Sequence, residues 1–115
     1  MSIVRTRTAL LAGAVNVNVL NGSKFEFLGR PAVVSIWGSD DGLGSAILDF
    51  TLGNTVVGED IPLNNAAVAG DVRRDVDGVG SGVGDAGDRI QLRLRNTDTV
   101  NAVNGNLIIE INEIA

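Results

Sequence analysis

Arg89-Ile90-Gln91-Leu92-Arg93-Leu94-Arg95 (RIQLRLR, residues 89–95) carries an apolar side chain at every second position. A β-strand turns successive side chains to opposite faces. This stretch therefore reads as a strand with Ile90, Leu92 and Leu94 inward and Arg89, Gln91, Arg93 and Arg95 outward. A helix would scatter the same residues around its circumference. The period recurs along the chain. Residues 107–114 (LIIEINEI) set Leu107, Ile109 and Ile111 on one face, and residues 46–52 (AILDFTL) set Ala46, Leu48, Phe50 and Leu52 against Ile47, Asp49 and Thr51. Residues 3–11 (IVRTRTALL) place Val4, Thr6, Thr8 and Leu10 opposite Ile3, Arg5 and Arg7. Residues 32–37 (AVVSIW) are partly apolar on both faces, as a central strand or one covered by a neighbouring subunit would be.

The connections supply the rest of the pattern. Residues 14–20 (AVNVNVL) alternate Val15, Val17 and Val19 against Asn16 and Asn18, and Asn21-Gly22 follows. Asn-Gly favours a two-residue hairpin turn because both central positions need φ > 0. Residues 24–28 (KFEFL) then read as the returning strand, with Phe25 and Phe27 inward. Residues 55–57 form a short strand, and 61–63 another that Pro62 confines to an edge. Residues 38–45 (GSDDGLGS) and 96–106 read as loops. Residues 66–71 have room for one helical turn that the glycines beyond prevent from growing. Residues 64–88 read as one long Gly/Asp-rich inter-strand connection.

About eight short antiparallel strands and no βαβ unit point to an all-β fold: one β-sandwich domain over residues 1–115, with a jelly roll as the leading architecture. The two long loops suit Greek-key crossings between sheets. An immunoglobulin-like sandwich is the alternative, although its Cys…Trp…Cys pattern is absent.

Composition limits the chemistry. The chain has 115 residues, no cysteine and no histidine, which removes thiolate chemistry, disulfides, the commonest general base and the commonest metal ligand. Net charge is −5, unfavourable for nucleic acid or an anionic membrane as direct partner. Arg5 and Arg7 precede ALLAGA, which faintly resembles a signal sequence. The apolar run is shorter than the roughly 7–15 residues such a segment needs, so no cleaved signal is expected. Serines without a histidine cannot form a Ser-His-Asp triad, so no catalytic residue is assigned and a non-enzyme is expected.

Residues 75–88 (DVDGVGSGVGDAGD) contain the main ligand candidates. Gly82-Val83-Gly84-Asp85-Ala86-Gly87 matches a dinucleotide-binding glycine pattern, but that motif needs a strand before it and a helix after it, and here a strand follows. Asp75, Asp77, Asp85 and Asp88 are candidate Ca²⁺ ligands. An EF-hand is excluded, since Ala86 stands where the bidentate glutamate belongs. No cofactor is expected otherwise. Arg89, Arg93 and Arg95 form a basic stripe that fits either cross-strand ion pairs with Asp49, Glu26 or Glu110 or a subunit contact, and Trp37 is a further interface candidate.

Strands rich in Val and Asn (AVNVNVL), glycine-rich loops (GVGSGVG) and the missing catalytic set together resemble, at the level of architecture, small single-jelly-roll viral structural proteins of the bacteriophage capsid decoration (cement) type. The resemblance implies a non-enzymatic structural protein that forms a homo-oligomer, often a trimer. It would be made in a host cytoplasm and sit on the virion surface against other capsid proteins. The acidic charge favours an outer position over one facing a genome. The rival expectation is a carbohydrate- or Ca²⁺-binding module using loops 38–45 and 75–88.

Overall fold

The computed structural model describes residues 1–15, 18–42, 44–66 and 68–114. Among them are eight strands and no helix: β1 (Ser2–Leu10), β2 (Ala32–Gly42), β3 (Ala46–Leu52), β4 (Thr55–Pro62), β5 (Asn64–Asn65), β6 (Gly78–Gly84), β7 (Ile90–Asn96) and β8 (Val103–Glu113). One sheet runs β1-β8-β2, and the far side of β2 carries β6 along its first half and the short β5 along its second. The other sheet runs β4-β3-β7. The chain between β1 and β2 lies along the free side of β7, joined by bridges from Val15 to Arg95 and from Phe27 to Arg89.

These pairings nest. Ser2 faces Ile111, Val15 faces Arg95, Phe27 faces Arg89, Ala32 faces Gly84 and Leu52 faces Thr55. The chain is thus one long hairpin with its tip at Gly53-Asn54, where Gly53 takes φ +56°. Successive rungs go alternately to the two sheets, and folding the hairpin over itself yields the strand order of a jelly-roll sandwich. All the long pairs are antiparallel; only β2–β5 is parallel.

Alternation builds the core. Ala32, Val34 and Ile36 of β2, Ala46, Leu48, Phe50 and Leu52 of β3, Ile90, Leu92 and Leu94 of β7, and Leu107 and Ile109 of β8 are all buried between the sheets. Each large side chain so removed from water contributes about 1.5–3 kcal/mol. The inward faces expected for β1, β3, β7 and β8 are the ones observed, and β2 is central, flanked on both sides.

Five expectations give way. The hairpin around Asn21-Gly22 is replaced by a series of turns, in which Ser23 N–H bonds to Leu20 O at 2.9 Å and Glu26 N–H to Ser23 O at 3.1 Å. Its faces are inverted: Asn18, Glu26 and Leu28 are buried, whereas Val15 and Phe27 are exposed and Phe25 is only half-buried. Asn16 and Val17 lie outside the described residues. Next, residues 38–42 are not loop but the second half of β2, and they bury Asp40 and Asp41; Leu43 lies outside the described residues. The separate short strands at 55–57 and 61–63 are one strand, β4, and the loop expected to 106 ends where β8 begins at Val103.

The fifth difference concerns the connection at 64–88. It holds β5 and β6, and β6 is the glycine run GVGSGVG itself, paired with β2 from Ala32↔Gly84 to Trp37↔Gly78. Glycine lowers strand propensity but permits close approach. A Cβ at Gly82 would sit 3.0 Å from both Leu52 Cδ1 and Val57 Cγ2, and one at Gly84 would sit 2.6 Å from Leu28 Cδ1. The glycines of β6 make room for these side chains of the opposite sheet. Near 66–71 a single turn forms, with Asp71 N–H bonded to Val68 O at 3.0 Å; Ala67 lies outside the described residues.

Candidate functional site

β6 decides the fate of the four aspartates. Asp75 and Asp77 precede it and Asp85 and Asp88 follow it, so the two pairs lie at opposite ends of a seven-residue strand, about 20 Å apart. Asp77 is buried, and its carboxylate accepts from Asn64 Nδ2 at 3.0 Å and from Arg73 N–H at 2.6 Å. Asp75 pairs with Arg73 at 3.3 Å, and Asp88 accepts from Asp85 N–H at 2.8 Å. The four are not brought together. Nor, among the described residues, do three or more acidic side chains converge in an arrangement that would hold a metal ion.

Three of the four interface candidates are engaged within the chain. Arg89 Nε donates to Glu26 Oε2 at 2.5 Å. The Glu26 carboxyl is held below its ordinary range, first by the Gly22 N–H and also by Arg89, against the opposing effect of burial. Trp37 lies on the outer face of the first sheet under the Arg74 guanidinium, 4.7 Å from the ring centre, and Arg74 also bonds Glu110 at 3.0 Å. Arg95 is forked between Asp49, at 2.6 Å, and Asp60. Of the four, only Arg93 has no ion-pair, hydrogen-bond or cation–π partner for its side chain among the described residues.

Buried carboxylates that sequence reading placed in a loop form a second cluster. Asp40 and Asp41 are adjacent on β2 and project to opposite faces of the sheet. Asp40 accepts from Ala46 N–H at 3.0 Å and from Asn65 Nδ2 at 3.2 Å. Burial raises its pKa, more than these bonds lower it. Asp41 lies on the outer face and accepts from Gly70 N–H at 2.6 Å and from Arg7 at 3.1 Å. Burial pushes its pKa up, but the Asn104 amide, the Gly70 N–H, the Asn106 amide and Arg7 together bring it below the ordinary value. Facing opposite ways, the pair cannot flank one bond as glycosidase carboxylates do. Its visible work is mechanical: Asp41 ties the crossing segment at Gly70 to the sheet, and Asp40 ties β5 and the start of β3 to β2.

A groove lies on the outer face of the second sheet, about 380 Å³ in volume, lined by Asp49, Thr51, Glu59, Asp60, Gln91, Arg93 and Arg95. A β-bulge builds it. Leu48 pairs with Ile61 and Phe50 with Gly58, so Glu59 and Asp60 together stand opposite Asp49. Asp60 takes φ +53°, the one non-glycine residue with positive φ among those described. Such a conformation persists where its surroundings enforce it. Here Asp60 N–H donates to Asp49 Oδ1 at 2.9 Å while its carboxylate meets Arg95. Gly58 leaves room for Ile61: a Cβ there would meet Ile61 Cδ1 and make the end of that side chain turn aside. Sequence reading found Arg93, Arg95 and Asp49 from alternation but missed Glu59 and Asp60, since a bulge leaves no periodic signal.

No protein-family model, curated protein or solved structure matches the chain significantly.

Proposed function

We propose that this chain is a self-associating structural subunit of a viral capsid or capsid decoration. Jelly rolls of this strand order are a recurrent solution for capsid domains, and almost the entire described chain goes into building this one. The observation that carries the reading is the free edge of β1. Nine residues long, without proline, glycine or lysine, β1 pairs with β8 on one side and, among the described residues, with nothing on the other. An unprotected edge is a template for another strand. Of the other edges, β6 is open on its outer side but built largely of glycine, which weakens a strand, and the rest are blunted. β4 has its bulge, Pro62 and two exposed acidic residues, while the outer end of β2 is covered by the two-residue β5. Along β1, Ile3 is 47% exposed, and one of its two arginines, Arg7, is already held by Asp41. The net charge of −5 suits an outer position on a shell, away from packaged nucleic acid.

Light scattering across a concentration series tests the reading. The wild-type chain is expected to form a discrete oligomer, and Ile3→Lys, which places an edge-guarding charge without disturbing the core, is expected to shift it toward monomer. A wild-type chain that stays monomeric at millimolar concentration overturns the proposal.

A further inference from the structure

Association through β1 leaves the groove on the second sheet without a role, although a β-bulge and the positive φ of Asp60 shape it. We propose that this groove binds an acidic saccharide, with Arg93 taking the sugar carboxylate and Glu59, Gln91 and Thr51 taking its hydroxyls.

Size and lining both fit. About 380 Å³ falls within the roughly 300–1,000 Å³ of small-molecule sites. Such sites are ordinarily lined by apolar and aromatic side chains; this one is lined by polar groups alone, which suits a ligand that is itself hydroxylated over its surface. The charges are sorted. Asp49 faces Arg93 across the β3–β7 pair, yet its carboxylate is committed to Arg95 and to Asp60 N–H. Arg95 is engaged by both Asp49 and Asp60, and its pKa is raised by the hydrogen bond to Asp60 first, with burial opposing and the charges of Asp49 and Asp60 adding to the rise. The cross-linked trio of Asp49, Asp60 and Arg95 forms one rigid wall.

Opposite that wall, the side chains of Arg93, Gln91, Thr51 and Glu59 make no hydrogen bond among the described residues. A free guanidinium presents a planar fork that matches a carboxylate with two parallel bonds. A free glutamate accepts from hydroxyls, and the Gln91 amide and Thr51 hydroxyl both donate and accept. With three carboxylates against two arginines in the lining, Arg93 is the one cation left to meet an anion, and a multiply charged phosphate is disfavoured. A sugar carrying one carboxylate, of the uronic-acid type, meets all of these demands.

The test is a titration of isotope-labelled protein followed by amide NMR, using trigalacturonate, with a neutral trisaccharide, acetate and a short polyglutamate peptide as comparisons. Trigalacturonate is expected to shift amides of Thr51, Glu59, Asp60, Gln91 and Arg93, saturating in the millimolar range or below. Arg93→Ala is expected to weaken binding at least tenfold, and Arg93→Lys to restore only part of it because the fork is lost. Arg30→Ala, which removes an exposed arginine elsewhere, is expected to change nothing. No shift at ten millimolar, an equal response to acetate or to the acidic peptide, or full binding by Arg93→Ala overturns the proposal. Spectral dispersion reports whether each variant is folded. Light scattering of Arg93→Ala, expected to match wild type, separates the fate of this site from that of the β1 edge.

Discussion

Asp40 and Asp41 sit next to each other, and burial pushes the pKa of both upward, yet their net shifts are opposite. Asp41 has a hydrogen-bonded, ion-paired carboxylate with a lowered pKa. Its contribution to stability is fully present above the pKa of an unfolded aspartate and is lost as pH falls through the lower folded value. Asp40 has a raised pKa, so the fold favours its protonated form. Its ionisation costs stability as pH climbs from the unfolded value through the raised one, and the cost is complete at neutral pH. Asp41→Asn is therefore expected to lower stability at pH 7 by about 1–3 kcal/mol, the worth of hydrogen bonds to a charged group. Asp40→Asn is expected to do the reverse. Its oxygen still accepts from Ala46 N–H, Asn65 turns its amide to pair with the new nitrogen, and the ionisation cost disappears. Denaturant unfolding at pH 7 and at pH 3 checks both: the effect of each substitution shrinks at the lower pH. A gain from Asp40→Asn that is as large at pH 3 as at pH 7 would show that ionisation is not its source.

At the level of elements, legibility followed side-chain volume. β3 and β7 were readable residue by residue because each inward position holds a large apolar group, and burial leaves only one register open to such a strand. β6 was not readable, because its inward positions hold glycine and the apolar groups filling that space belong to Leu28, Leu52 and Val57 elsewhere in the chain. Glycine in a strand and glycine in a loop look alike until the opposing sheet is known. The stretch before β2 failed for a different reason. Asn18 does there what a strand backbone would do: its Oδ1 accepts from Leu92 N–H at 3.0 Å and its Nδ2 donates to Ile90 O at 3.1 Å. An asparagine that caps a neighbouring strand is indistinguishable in sequence from one pointing into water. The groove was half legible for the same kind of reason, since Arg93 and Arg95 follow the alternation and the bulged Glu59 and Asp60 do not. The account of β6 predicts that Gly82→Val drives its side chain against Leu52 and Val57 and costs about 2 kcal/mol, in the range for overpacking. Ser81→Val, one residue away and facing outward, is expected to change stability by less than about 0.5 kcal/mol, as surface substitutions do. Equal effects at the two positions in thermal or denaturant unfolding would contradict the inward role of Gly82.

Across the whole molecule, charge is largely spent internally. Arg7, Arg30, Arg73, Arg74, Arg89 and Arg95 are all ion-paired within the chain. Copies that each carry net charge −5 repel one another weakly, so long-range attraction is a poor candidate for what drives assembly. What the surface offers instead is the free backbone edge of β1 with Ile3 beside it, and neither hydrogen bonds between strands nor apolar contact is screened by ions. Salt shortens the reach of charge from about 10 Å at 0.1 M to about 3 Å at 1 M. If the β1 edge carries association, raising sodium chloride over that range is expected to leave the dissociation constant unchanged or slightly tightened, because the like-charge repulsion is screened while the edge contacts persist. If rim arginines carried it, the same change would weaken the oligomer severalfold. Sedimentation equilibrium at the two salt concentrations distinguishes these outcomes, and a severalfold weakening at 1 M would move the assembly surface away from β1 and onto the charged face of the second sheet.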